Sequence, residues 1–316
     1  MTMIELLKLQ NIKKYFPIKN GKLLKAVDGV SFSVNESQVF GLVGESGCGK
    51  STLARIIPGL IKPTEGEIYF DDINVTRAKG EALSKIRRGV QIVFQDPLAS
   101  LNPRRRVIDT VGEAILIHNI VKKNQIKDLV VQLLQRVGLD ADALYKYPHE
   151  FSGGQRQRIC IARALSVNPK LIVADEPLSA LDVSIQAQIL NLLEELQESS
   201  NLAFILITHN LHVIEYFSDI VAVMYLGKIV EMSKTEEIIQ KPFHPYTEAL
   251  LSAMPEPVID KKSERIILEG DVPSPVDIPS GCPFHPRCHK RFEPCDKIVP
   301  VYKEAVKDRW VSCHLW

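Results

Sequence analysis

Residues 38–60 read QVFGLVGESGCGKSTLARIIPGL: an apolar strand pattern, a glycine loop, then a helical run. The loop from Gly44 to Ser51 fits G-x4-G-K-S/T, and a preceding strand with a following helix is the context that pattern needs. Its glycines let backbone N–H groups wrap round an anion. Lys50 adds a point charge, and the Ser51 hydroxyl is suited to ligate Mg²⁺. The stretch predicts a nucleotide-phosphate site on an α/β fold, with Gly44, Glu45, Ser46, Gly47, Cys48, Gly49, Lys50, Ser51 and Thr52 as its loop.

Outward from the loop, the first hundred residues carry short β-rich segments (ELLKLQNI, VDGVSFSV, EIYF, GVQIVF), with a turn at Asn20 and Gly21. From Ala114 to Val137 the periodicity becomes helical, and Gly138 is a helix stop. Strand and helix then alternate through LIVADE, VSIQAQILNLLEELQ, AFILITH and DIVAVMYLG, the rhythm of a mostly parallel sheet covered by helices. After Met254 the chain turns proline-rich and leads to a cysteine-bearing tail.

Composition narrows the classes. The 316 residues are 45% hydrophobic, enough to build a sizeable core. Lys and Arg total 39 against 38 Asp and Glu, a net +1 that gives no footprint for nucleic acid. The opening MTMIELLKLQNIKK has no signal-peptide pattern and no stretch is apolar enough to span a membrane, so a cytosolic chain is expected. In that reducing compartment the six cysteines are expected as metal ligands or buried thiols rather than disulfides.

A phosphate loop alone says only that a nucleotide binds, and further residues specify the chemistry. LIVADE ends an apolar strand in Asp175 and Glu176, and two carboxylates at a buried strand end are costly without a cation. Asp175 is suited to a Mg²⁺ water shell and Glu176 to orienting or deprotonating an attacking water. ILITH ends another strand in His209, whose imidazole is suited to a γ-phosphate oxygen. Gln95, after GVQIVF, has an amide that suits both metal and water.

Taken in order, GESGCGKS, VFQ, FSGGQRQR, LIVADEP, SALD and ITH resemble the ATP-binding subunit of an ABC transporter, over roughly residues 5–250. The resemblance implies a RecA-like phosphate-loop core with an antiparallel β subdomain and a helical subdomain at about 96–165. With the proline-rich run and the cysteine cluster, the expected division is an ATPase domain over 1–254, a linker over 255–281 and a tail over 282–316. Two such subunits would meet head to tail. Ser152, Gly153, Gly154 and Gln155 would then cap the ATP held by the partner, and Ser179, Ala180, Leu181 and Asp182 would link the two sites. Phe151 stands where leucine is commoner. An aromatic of the opening strand, Tyr15 or Phe16, would stack on adenine, with Phe16 the choice.

Finer matches (VFQDPLASLNPR, YPHEFSGGQRQRI, HPYTEALLSAMP) resemble dipeptide and oligopeptide importers, closest to the second of their two paralogous ATPases; nickel importers are near relatives. Expected partners are a paralogous ATPase or an identical copy, two membrane-spanning permeases at the cytoplasmic membrane face, and indirectly an extracytoplasmic binding protein. A soluble ATPase acting on DNA or ribosomes fits less well, because the chain has one phosphate loop and no heptad run.

Four cysteines, Cys282, Cys288, Cys295 and Cys313, fall in the last 35 residues with spacing C-x5-C-x6-C-x17-C. Four thiolates are the complement of an iron–sulfur cluster, and importers of this branch carry a similar tail, which implies a 4Fe-4S centre. Zinc, with His285, His289 or His314 as substitute ligands, and reduced thiols are the alternatives. Cys48 and Cys160 read as packing residues.

Overall fold

Two sheets carry the fold in the computed structural model, which describes residues 4–179, 181–254 and 266–316. In chain order the strands are β1 (Glu5–Pro17), β2 (Leu23–Asn35), β3 (Val39–Val43), β4 (Glu65–Phe70), β5 (Ile73–Asn74), β6 (Val90–Val93), β7 (Leu171–Asp175), β8 (Ala203–Ile207), β9 (Ile220–Tyr225), β10 (Lys228–Lys234), β11 (Lys303–Val306) and β12 (Arg309–Val311). The helices are α1 (Lys50–Ile56), α2 (Gly80–Gly89), α3 (Pro97–Ser100), α4 (Val107–Ile117), α5 (Ile126–Arg136), α6 (Gly153–Leu165), α7 (Val183–Ser200), α8 (Leu211–Phe217), α9 (Thr235–Gln240) and α10 (Pro245–Ser252).

The apolar segments VFGLV, LIVAD and AFILI are buried along their whole length because they form the centre of an eight-stranded sheet, ordered β11-β12-β10-β9-β3-β8-β7-β6. From β6 through β9 the neighbours are parallel. Alternation along β3 sends Phe40 and Leu42 to one core and Val39 and Val43 to the other. The first core lies beneath the four-stranded antiparallel sheet β2-β1-β4-β5, where Phe32 stacks on Phe40 at 4.3 Å. The second packs α4, α5, α6 and α7 against the opposite face. The parallel sheet and the antiparallel sheet are the α/β core and antiparallel β subdomain that the resemblance implies, and α4, α5 and α6 fall within the expected helical stretch.

The helical stretch from Ala114 divides in two: α4 ends at Ile117, Asn119 turns the chain with φ 50°, and α5 begins at Ile126. Gly138, at φ 72°, stops α5 with its N–H on the Gln135 carbonyl at 2.9 Å. No helix among the described residues is long and apolar enough to cross a membrane.

The cysteine segment returns to the main sheet. β12 pairs with β10 (Glu231 opposite Val311) and β11 pairs with β12, so the tail covers an edge that would otherwise present open backbone. Phe284 inserts beside Tyr225 and Tyr246, ring centroids 5.3 Å from each, and is 1% exposed. A tail too short for its own core thus shares that of the ATPase domain. Of the expected 255–281 linker, residues 255–265 lie outside the described residues.

Candidate nucleotide site

The carboxyl ends of β3, β7 and β8 lie at the same edge of the parallel sheet, the place where open α/β sheets hold ligands. The glycine loop leaves β3 there. A Cβ on Gly44 would sit 2.2 Å from the Met224 carbonyl oxygen, and one on Gly49 2.0 Å from that of Ala26, so only glycine fits. Lys50 is 5% exposed, and its ammonium donates to the Gly44 and Glu45 carbonyls at 2.7 and 3.0 Å. Cys48, 3% exposed, fills the space under the loop.

Ser51 donates its hydroxyl to Asp175 Oδ1 at 3.1 Å. Asp175 is 3% exposed, and burial holds its carboxyl above the usual range despite that bond. Glu176 follows in left-handed backbone, φ 47°, with its N–H on the Ile207 carbonyl at 2.8 Å. This turn carries its carboxylate away from the strand: Oε2 accepts from Gln95 Nε2 at 2.9 Å and lies 3.4 Å from His209 Nδ1.

A cleft of about 720 Å³ brings together Ser46, Gly47, Gly49 to Thr52, Gln95, Glu176 and His209 with Phe16, Leu24, Ala26 and Pro275. Phe16 is brought to the cleft, whereas the Tyr15 hydroxyl is engaged with Asp28. Lys14 places its ammonium 5.0 Å from the Phe16 ring. Pro275 was not singled out by sequence reading: it comes from the proline-rich segment, held by its carbonyl on the Lys25 N–H at 3.3 Å.

The second glycine motif is elsewhere. Ser152 Oγ accepts from the Gln155 N–H at 3.3 Å while Gln155 Oε1 accepts from the Ser152 N–H at 3.0 Å, a reciprocal cap at the start of α6. Ser152, Gly153 and Gln155 are exposed, and none of the four residues lines the cleft. Leu181 packs beside Gly153, 3.3 Å from where a Cβ would be, Ser179 bonds the Glu176 carbonyl at 3.1 Å, and Asp182 starts α7. Ala180 lies outside the described residues.

Cys282, Cys288, Cys295 and Cys313 line one small pocket of about 10 Å³ with His285 and His314. His289 is 3.4 Å from Glu248 instead. Burial pushes the Cys282 thiol up to about 11 and raises Cys288 and Cys313 as well. Four thiols are the right chemical type for a thiolate centre, but among the described residues no three His, Cys, Asp or Glu groups stand in metal-holding geometry, so the expected metal centre is not seen in the arrangement of the tail. Cys160, 1% exposed, packs against Ser100.

A phosphate loop, paired strand-end carboxylates and a strand-end histidine on one parallel sheet define a P-loop nucleotide hydrolase. Residues 27–179 match the family model "ABC transporter", and residues 230–295 match "Oligopeptide/dipeptide transporter, C-terminal region". The oligopeptide transport ATP-binding protein AppF of Bacillus subtilis is 50% identical over 98% of this chain and 97% of its own length. The dipeptide transport ATP-binding protein DppF of Escherichia coli is 45% identical over 95% of this chain and 91% of its own. Among solved structures, the dimeric post-hydrolysis ATP-binding cassette MJ0796 bound to ADP and Pi superposes with TM-score 0.67 at 30% identity, covering 73% of this chain and 99% of that one. The chain belongs to the ATP-hydrolysing subunits of ABC transporters, in their oligopeptide and dipeptide branch.

Proposed function

We propose that the chain powers import of di- and oligopeptides by hydrolysing ATP at a head-to-tail dimer interface. The observation that carries this reading is the division of the two glycine motifs. One lines the cleft with Gln95, Glu176 and His209, while the other offers its capped helix start to solvent, where it is free to meet a nucleotide held by another subunit. The dimeric state of MJ0796 supports the arrangement.

In this reading Phe16 stacks on adenine, the loop N–H groups and Lys50 hold the phosphates, and Ser51, Gln95 and Asp175 would hold Mg²⁺, which would supply charge neutralisation at the phosphates. Glu176 takes a proton from water as the water oxygen bonds the γ-phosphorus and the bond to the β–γ bridging oxygen breaks, giving ADP and phosphate. His209 steadies the γ-phosphate. The partner's equivalents of Ser152, Gly153, Gly154 and Gln155 close the site, and Ser179, Ala180, Leu181 and Asp182 pass its state across. The partner is a paralogous ATPase, both subunits docking on two permeases at the cytoplasmic membrane face, with a binding protein delivering peptide from outside. The four tail cysteines would supply the thiolates of a 4Fe-4S cluster.

The test is co-purification from the native membrane in mild detergent, followed by ATPase assay in vesicles with and without peptide-loaded binding protein. Recovery of two permeases and a related ATPase, with hydrolysis stimulated by loaded binding protein, is expected. A chain recovered without permeases, or with nucleic-acid partners, overturns the transport reading.

A further inference from the structure

Among the residues that sequence reading passed over, one reaches the phosphate loop from the far end of the chain. Arg287 closes the single 3-10 turn His285–Arg287, within the tail segment between Cys282 and Cys288. Its guanidinium grips Glu45 with both prongs, Nη1 to Oε2 at 2.7 Å and Nη2 to Oε1 at 2.9 Å, across 242 positions of sequence. The arginine side chain is 7% exposed and that of Glu45 26%, so the pair is shielded far more than an ordinary surface ion pair.

Glu45 is the one acidic residue of the loop from Gly44 to Thr52. A carboxylate there carries the wrong sign for a site that must accept triphosphate. Three contacts fix it. The Arg287 fork takes the carboxylate, the Tyr246 hydroxyl accepts the Glu45 N–H at 2.9 Å, and Lys50 donates to the Glu45 carbonyl at 3.0 Å. Glu45 accordingly lines a separate cavity with Arg287, Leu250 and Ile267 and does not line the nucleotide cleft.

We propose that Arg287 is a positioning residue for ATP: it neutralises Glu45 and turns that carboxylate out of the cleft, so that the loop accepts the phosphates only while the tail is seated. The inference rests on the ATP-site reading and adds to it a residue of the tail that touches no part of the nucleotide. It also gives the tail a task at the site: whatever unseats the turn between Cys282 and Cys288 removes the cation from Glu45.

The experiment measures binding of a fluorescent ATP analogue with Mg²⁺ to the full chain, together with thermal unfolding in the absence of nucleotide. Arg287→Ala is expected to weaken binding about tenfold. Arg287→Ala combined with Glu45→Gln is expected to regain most of the affinity, because the uncompensated charge is gone. A purely structural arginine predicts the opposite, since the double variant would unfold as readily as the single one and bind as poorly. Should Arg287→Ala fail to fold, Arg287→Lys keeps the charge and loses the fork; it is expected to bind several-fold more weakly, with Glu45→Gln again restoring affinity. Undiminished binding in Arg287→Ala or Arg287→Lys, or a defect that Glu45→Gln leaves in place, overturns the proposal. Absence of binding by the unaltered chain overturns instead the ATP-site reading beneath it.

Discussion

Gln95 donates its side-chain amide to Glu176 at 2.9 Å, joining the end of β6 to the end of β7 across the mouth of the cleft. The same carboxylate lies 3.4 Å from His209, so three elements aim one polar group each at one point. In the proposed mechanism Glu176 acts on the attacking water, and Glu176→Gln keeps the shape while removing the base. ATP affinity is expected to stay within about threefold, and steady-state hydrolysis in the assembled transporter to fall about 10²–10³-fold. Turnover at the normal rate would remove Glu176 from the mechanism.

Phe16 reaches the cleft and Tyr15 does not, because adjacent strand residues point to opposite faces. Phe16→Ala is expected to weaken ATP binding about tenfold through lost stacking on the base, with a smaller effect on pyrophosphate binding. Tyr15→Phe, which loses only the hydroxyl bond to Asp28, is expected to leave ATP affinity unaltered. Fluorescence titration of both variants separates the two neighbours.

Much of this site was legible because its signals are contiguous. The loop, the strand ending in Asp175 and Glu176, and the strand before His209 each need only a few consecutive residues, since a buried parallel strand reads as an unbroken apolar run. Contacts that join distant segments left no such trace. Arg287 on Glu45, Pro275 at the cleft and Val311 opposite Glu231 follow from how the linker and tail pack, which no local period encodes. The break at Asn119 was equally invisible, because apolar residues on both sides keep a helical spacing through the turn.

The loop glycines differ in what they tolerate. A Cβ on Gly44 meets the Met224 backbone oxygen at 2.2 Å, and backbone cannot swing aside, whereas one on Gly47 meets nothing within 4 Å. Gly44→Ala is expected to abolish ATP binding or folding. Gly47→Ala, strained only by its φ of 80°, is expected to cost about 1 kcal/mol of stability and stay folded. Thermal unfolding with and without ATP checks both.

The exposed signature is expected to act on the partner's nucleotide. Ser152→Arg places bulk and charge at the start of α6 and removes a helix cap worth about 1 kcal/mol, while the cleft of its own chain is untouched. ATP binding by the isolated chain is expected to be unchanged. In the assembled transporter, hydrolysis at the site facing the altered signature is expected to fall at least tenfold, read by pairing Ser152→Arg with Glu176→Gln in the same or in opposite subunits. Action on the partner predicts that one site survives only when the two changes sit in opposite subunits; survival only when they share a subunit would place the motif at its own chain's site.

Cys282 and Cys295 are each 8% exposed and line the pocket that Cys288 and Cys313 complete, while Cys48 and Cys160 are buried in the loop and the helical layer and do not line it. If the four thiols hold a 4Fe-4S cluster, Cys282→Ser or Cys295→Ser is expected to remove most of the iron and sulfide and its visible absorbance, whereas Cys160→Ser leaves them in place. Burial raises the Cys282 thiol to about 11, so unmetallated Cys282 is protonated at neutral pH and its binding of a metal would release a proton. Phe284 packing and the β10–β12 pairing remain without the metal, so the domain is expected to stay folded with its melting temperature lowered by roughly 5 °C. Iron analysis on anaerobically purified chain decides the matter. Stoichiometric zinc would select the other thiolate centre, and a metal-free native protein with unchanged stability in both tail variants would leave the four cysteines as a packing cluster.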